Sequence, residues 1–111
     1  MKTARIVLIC FLAVFCLTGM AAAARTKIVV ATDATWPLME MMDKNNAIVG
    51  FDIDLLNAVA KEVGLTVEYR NTPWDKIFEG LDAGKYDAII SSVTITDDRR
   101  KKYDFTDPYF S

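Results

Sequence analysis

Three short stretches of the chain carry side chains able to grip a small charged molecule. Ser91-Ser92-Val93-Thr94 leaves an apolar run and leads to a helix start capped by Thr96, with Arg99 three residues past that cap. Backbone N–H groups at such a strand-to-helix turn have no ladder partners and can point at an anion. From the first turn of the helix, Arg99 can fold its side chain back toward the same point. A guanidinium gripping a carboxylate through two parallel hydrogen bonds, backed by hydroxyl and backbone donors, would hold a free amino-acid carboxylate. Local pattern leaves a second reading open, a solvated arginine beside ordinary cap serines. Trp36 and Trp74 occupy loop or helix-start positions next to this polarity. Each is read either as core or as a ligand wall, and an indole face near a cation adds roughly 0.5–2 kcal/mol of cation–π attraction. Asp33, just past a strand, is either a turn residue or a negative charge for a basic side chain.

Other chemistries are excluded by what the segment lacks. Beyond residue 24 there is no histidine and no cysteine, so the commonest zinc and copper ligands are missing and Ser-His or Cys-His nucleophilic catalysis is ruled out for this segment. Asp52 and Asp54 resemble a catalytic acid pair, but Asp52 serves better as a helix N-cap and Asp54 as a first-turn acid matched to the helix dipole. No catalytic residue, metal or cofactor is expected. All 15 acidic residues and 11 of the 13 basic ones lie beyond residue 24, a net charge of −4 there. With no basic stripe interleaved with aromatics, nucleic acid is not an expected partner. Three of the four cations in Arg99-Arg100-Lys101-Lys102 are read as a solvated helix end.

The elements that must position these residues alternate along the chain. Lys2 and Arg5 precede an almost unbroken apolar run over residues 6–17, and Ala21-Ala22-Ala23-Ala24 offers a cleavage site before Arg25. A cleavable signal peptide over residues 1–24 is therefore expected; the run is shorter than the about 20 residues that span a bilayer. Cys10 and Cys16 both fall inside it, so no disulfide supports the remainder. Met20 stands where a lipoprotein box begun by Leu17-Thr18-Gly19 would need cysteine, so a freely soluble periplasmic protein without a lipid anchor is expected. Residues 27–32 read as a strand covered on both faces. Residues 38–42 and 47–49 flank the turn residues 43–46 as a hairpin. A helix follows, with Asp52 as cap, Ile53, Leu56, Ala60 and Val63 as its stripe, and Gly64 as the residue past its end. Residues 65–70 form the next strand. Thr72-Pro73-Trp74-Asp75 then combines a threonine cap, proline at the first position and an acid three residues on. That helix ends at Gly84, residues 86–90 form a third strand, and Thr96 caps a short helix to about residue 102. Strands separated by helices imply an α/β fold, a mainly parallel sheet with helices on both faces and ligands at the carboxyl ends of the strands.

Gly50-Phe51-Asp52-Ile53-Asp54-Leu55, with Val59-Ala60 and Val63, resembles the signature of bacterial extracellular solute-binding protein family 3, the polar-amino-acid receptors of ABC importers. The resemblance also takes in Asp33-Ala34-Thr35-Trp36-Pro37, Thr72-Pro73-Trp74-Asp75, the stretch 87–99 and Asp104-Phe105-Thr106-Asp107-Pro108-Tyr109, so that nearly all of residues 27–110 is covered. It implies a type II periplasmic-binding-protein-like lobe, the N-terminal part of lobe 1, in a two-lobed monomer that closes on its ligand by hinge motion. It implies that Arg99 grips the ligand α-carboxylate with help from Ser92 and Thr94, and that Trp36 and Trp74 wall the ligand side chain. The same resemblance implies that Ser91 lines the site and that Asp33 matches the position which, in members binding a basic amino acid, can contact its cationic end. The partners implied are a free amino acid and an ABC permease at the inner membrane. Family members run to roughly twice the length of residues 25–111, and the second lobe with its acidic ammonium-binding residue has no counterpart in this chain. Residues 25–111 alone are accordingly expected to bind an amino acid weakly or not at all. Two other functions share the fold: a periplasmic cyclohexadienyl dehydratase-like enzyme, for which no general acid or base stands out, and the sensing domain of a receptor kinase.

Overall fold

Strand β1 (Lys27–Thr32) is the centre on which everything else is assembled, because its β-branched run is apolar on both faces. A computed structural model of the protein describes residues 26–111. The expected signal peptide over 1–24, its cleavage site, Cys10 and Cys16 lie outside the described residues. After β1 come β2 (Thr35–Trp36), β3 (Glu40–Met42), β4 (Ile48–Val49), helix α1 (Phe51–Glu62), β5 (Thr66–Asn71), helix α2 (Trp74–Asp82), β6 (Ala88–Ile89) and helix α3 (Asp97–Arg100).

The main sheet is parallel with strand order β5-β1-β6. Lys27 pairs with Thr66 and Thr32 with Asn71 on one side of β1, and Val30 with Ala88 and Ala31 with Ile89 on the other. Asp87 N–H to Val29 O and Ile90 N–H to Ala31 O extend the β6 pairing beyond its two regular residues. The first crossover, through α1, runs outward to β5, and the second, through α2, returns past β1 to β6. Ala31 packs with Ile77 and Tyr86, flanked by Val29, Phe78, Leu81 and Ile89. Val30 and Thr32 alternate to the other side and are also fully buried. Gly80 lets the Tyr86 ring lie against α2, since a Cβ there would sit 2.2 Å from the Tyr86 hydroxyl, which itself donates to Ile77 O. Tyr69 Oη donates to Ile53 O and Asn57 Oδ1, tying α1 to β5.

The hairpin expected around residues 43–46 forms between β3 and β4. A third strand joins it, since β2 pairs antiparallel with β3 through Thr35–Met41 and Trp36–Glu40. Two capping expectations are corrected. The N-cap of α1 is Gly50, with no side-chain cap; Asp52 is the second residue of the helix and fully buried, its carboxylate accepting from Ser92 instead of from its own helix end. Helix α2 starts one residue later than expected, with Pro73 at the N-cap, and the Thr72 hydroxyl donates backwards to Arg70 O. Val59 and Val63, expected on the apolar stripe of α1, are exposed, whereas Ile53 and Ala60 are buried. Gly64 and Gly84 do stand at positive φ just past their helices, and Thr96 does cap α3, its hydroxyl accepting from Arg99 N–H.

Candidate functional site

Strand order reverses at β1, so the carboxyl ends of β1, β5 and β6 open on a common crevice. The backbone leaving β1 is fastened to both neighbours. Asp33 N–H donates to Ser91 Oγ at 3.0 Å, and Ala34 N–H donates to Asn71 Oδ1 at 3.0 Å. The Asp33 carboxylate takes two further donors, Thr35 Oγ1 at 2.7 Å and Trp74 N–H at 2.8 Å. Asp33 thus supplies, across 41 residues of sequence, the N-terminal cap that Thr72 does not. Asp33→Ala is expected to destabilise the chain by about 1–2 kcal/mol, the usual effect of losing a cap, and chemical denaturation of the full chain measures it.

Arg99 emerges from α3 and reaches over two rings of α2. Its guanidinium carbon is 5.5 Å from the Trp74 ring centroid and 5.3 Å from that of Phe78. Those two rings meet edge-to-face at 5.5 Å, and Tyr103 packs on the far side of Phe78 at 5.3 Å. One Nη1–H donates to Thr94 O at 2.8 Å. Among the described residues no carboxylate pairs with this cation. A guanidinium has five donors in a rigid fork, so the one bond to Thr94 orients it and leaves N–H groups for an outside acceptor. The side chain is partly buried, with two rings of α2 beside its guanidinium.

Behind Arg99 the turn after β6 is held from below. Ser91 is buried, its hydroxyl accepting from Asp33 N–H and donating to Glu40 Oε1 at 2.8 Å. Ser92 adopts φ 46°, left-handed for a residue with a side chain, and both its N–H (2.6 Å) and its hydroxyl (3.1 Å) donate to Asp52 Oδ2. Thr94 is exposed at the edge of the turn. Trp36 stands out on β2, 66 % exposed, without a ring partner among the described residues. The structure therefore brings Asp33, Trp74, Ser91, Ser92, Thr94 and Arg99 to one rim and sets Trp36 on the neighbouring small sheet. Of these, Asp33 and Ser91 have their side chains engaged in fastening loops.

Three participants escaped the sequence reading. Phe78 lies beside Arg99 together with Trp74. Glu40 sits between Met39 and Met41 with no local signal, and is 2 % exposed. Burial foremost, then the charges of Asp52 and Asp33, pushes its carboxyl up to about 7 against the opposing hydrogen bond from Ser91. Asp52 is as deeply buried and was mistaken for a cap. Tyr109 reaches this corner from the C-terminal segment, its ring 6.4 Å from Phe51, and burial followed by the Asp52 charge raises its hydroxyl pKa.

The family model described as "Bacterial extracellular solute-binding proteins, family 3" matches residues 28–111. The ABC transporter arginine-binding protein 1 of Escherichia coli K12 is 42 % identical over 89 residues, which are 80 % of this chain and 37 % of that protein. Among solved structures, the ancestral amino acid-binding protein AncCDT-1, a precursor of cyclohexadienyl dehydratase, superposes with a TM-score of 0.71 at 47 % identity, covering 77 % of this chain and 38 % of that one. The arginine-bound form of domain 1 from TmArgBP superposes with a TM-score of 0.72 at 38 % identity, covering 77 % and 68 % respectively. The chain spans about a third of the length of the curated relatives it matches.

Proposed function

The chain belongs to the bacterial extracellular solute-binding proteins, family 3, and from that membership we propose that it contributes the carboxylate-gripping lobe of a periplasmic receptor that hands a basic amino acid to an ABC importer. Residues 25–111 are then the N-terminal part of lobe 1, following a signal peptide over 1–24. The observation that carries the reading is Arg99: a cation without a carboxylate partner among the described residues, laid on Trp74 and Phe78 and aimed by Thr94 O beside the Ser92 turn. An α-carboxylate meeting that fork in bidentate fashion supplies the missing anion. Trp74 supports the ligand side chain, and Asp33, whose negative charge is already at the rim, favours a cationic one. The arginine named for one relative and held by domain 1 of another supports the same class of ligand.

That domain 1 structure also supports binding by a single lobe, against the weak or absent binding expected from the sequence. Titration of the full chain with L-arginine is expected to raise its melting temperature. Saturation at 100 times the dissociation constant stabilises by about 2.7 kcal/mol, a shift of roughly 10–20 °C for a domain of this size. No shift with any of the twenty amino acids would overturn the proposal. A dehydratase-like reading needs a general acid that reaches the ligand. Glu40, raised to about 7, is buried with its outer oxygen occupied by Ser91 and does not reach the rim.

A further inference from the structure

Two carboxyl groups from different elements meet beneath the ligand rim with an oxygen each to spare. Glu40, from β3, gives Oε1 to the Ser91 hydroxyl, and Asp52, from α1, gives Oδ2 to the Ser92 N–H and hydroxyl. The other two oxygens, Glu40 Oε2 and Asp52 Oδ1, are buried without a hydrogen-bond partner, and the two carboxyls are brought together on adjacent residues of one turn, Ser91 and Ser92. Two ionised carboxylates buried in this way would repel, and neither spare oxygen has a hydrogen bond to offset the repulsion. One proton between them satisfies both. We infer that Glu40 and Asp52 hold a single proton between Oε2 and Oδ1, and that this shared proton is what positions the Ser91–Ser92 turn under Arg99.

The geometry gives the proton its leverage. With it in place, β3, α1 and the segment after β6 form one continuous chain of hydrogen bonds: Ser91 to Glu40, Glu40 to Asp52, Asp52 to Ser92. Ser92 is kept in a left-handed conformation that a side-chain-bearing residue disfavours, and the double acceptor Asp52 Oδ2 is what holds it there. The other titratable groups facing the pair are Asp33 from the loop after β1 and Tyr109 from the C-terminal segment, and the charges acting on Glu40 are those of Asp52 and Asp33. With Glu40 pushed up to about 7 in the fold, against an ordinary 4.5, the folded chain keeps a proton that the unfolded chain loses. That contribution to stability is complete below about pH 4.5 and disappears as pH rises through about 7. Glu40 and Asp52 are positioning residues in this account, acting on the ligand only through the two serines. The consequence for ligand capture rests on the proposed function, whereas the shared proton does not.

Carboxyl-carbon NMR of the ligand-free full chain, with Glu40, Glu62, Glu68 and Glu79 labelled, tests the pair. One resonance is expected to titrate near pH 7, to vanish in Glu40→Gln, and to return by a unit or more toward ordinary values in Asp52→Asn, whose amide can donate to an ionised Glu40. A Glu40 midpoint in the ordinary carboxyl range overturns the inference, as does a raised midpoint that ignores Asp52→Asn. Thermal melting gives a second reading should Asp52→Asn not fold. Glu40→Gln mimics the protonated form, so it is expected to melt alike at pH 5 and pH 8 while the parent chain loses stability between them; equal slopes for the two overturn the pair. If arginine fails to bind while the resonance still titrates near pH 7, the receptor reading falls and the shared proton stands.

Discussion

Arg99→Ala is expected to weaken binding of L-arginine by two to three orders of magnitude in calorimetry on the full chain, with the melting temperature of the ligand-free chain little changed. Removing one partner of a buried, hydrogen-bonded charge pair typically loses 2–5 kcal/mol or more, and each 1.4 kcal/mol is a factor of ten. The ligand-free fold depends little on this guanidinium, whose only hydrogen bond among the described residues is to Thr94 O. Its contribution to stability is the stacking on Trp74 and Phe78, which at a half-exposed site is about 0.5–1 kcal/mol. Arg100→Ala, one residue along and exposed, is the control and leaves affinity within about twofold, as expected for an unburied cation. An Arg99→Lys chain separates charge from shape: it keeps the cation but loses the planar fork, and recovers only part of the affinity.

The largest effect on stability is expected at Gly50. At φ 137° and ψ 179° it occupies backbone territory that is essentially glycine's alone. A Cβ there would stand 2.3 Å from Met39 O and 2.6 Å from Met39 C, main-chain atoms with little freedom to retreat. The approach is so close because the first N–H groups of α1 are satisfied by the hairpin: Phe51 N–H donates to Leu38 O and Asp52 N–H to Met39 O. Gly50→Ala combines dihedral strain with overpacking, each about 1–3 kcal/mol, and is expected to lower stability by about 3–5 kcal/mol in urea unfolding. Gly64→Ala is the comparison: φ is also positive, but nothing lies within 4 Å of an added Cβ, and about 1 kcal/mol is expected. Equal losses at the two positions would remove the clash from the explanation.

What the sequence disclosed and what it withheld divide along a physical line. β1, α1, β5 and α2 were readable because each is specified locally, by an apolar run or a helical stripe with punctuation after it. Thr96 was readable as a cap because its acceptor serves an amide three residues away. The capping of α2 was not, because Asp33 reaches Trp74 from 41 residues upstream while Thr72, ideal by pattern, turns back to Arg70. Strand β2 has two residues and exists only through its pairing with β3. Among the site residues, Arg99 with Ser92 and Thr94 could be proposed from spacing; Arg99 Nη1 does meet Thr94 O, whereas Ser92 is turned to Asp52. Glu40 and Asp52 could not, since a buried acid has the same letter as a solvated one and only the fold removes its water.

The fastening of Asp33 has a consequence for the order in which the molecule matures. Its bonds to Trp74 and Ser91 close chain lengths of 41 and 58 residues, so the first waits for the crossover through α1 to β5 and the second for both crossovers. Contacts of such separation come late, after the entropy of bringing the ends together has been overcome. Helices α1 and α2 can flicker into existence on a nascent chain, but the rim that would hold a ligand cannot. A polypeptide of this design completes its rim only late in folding, and a half-folded molecule has none.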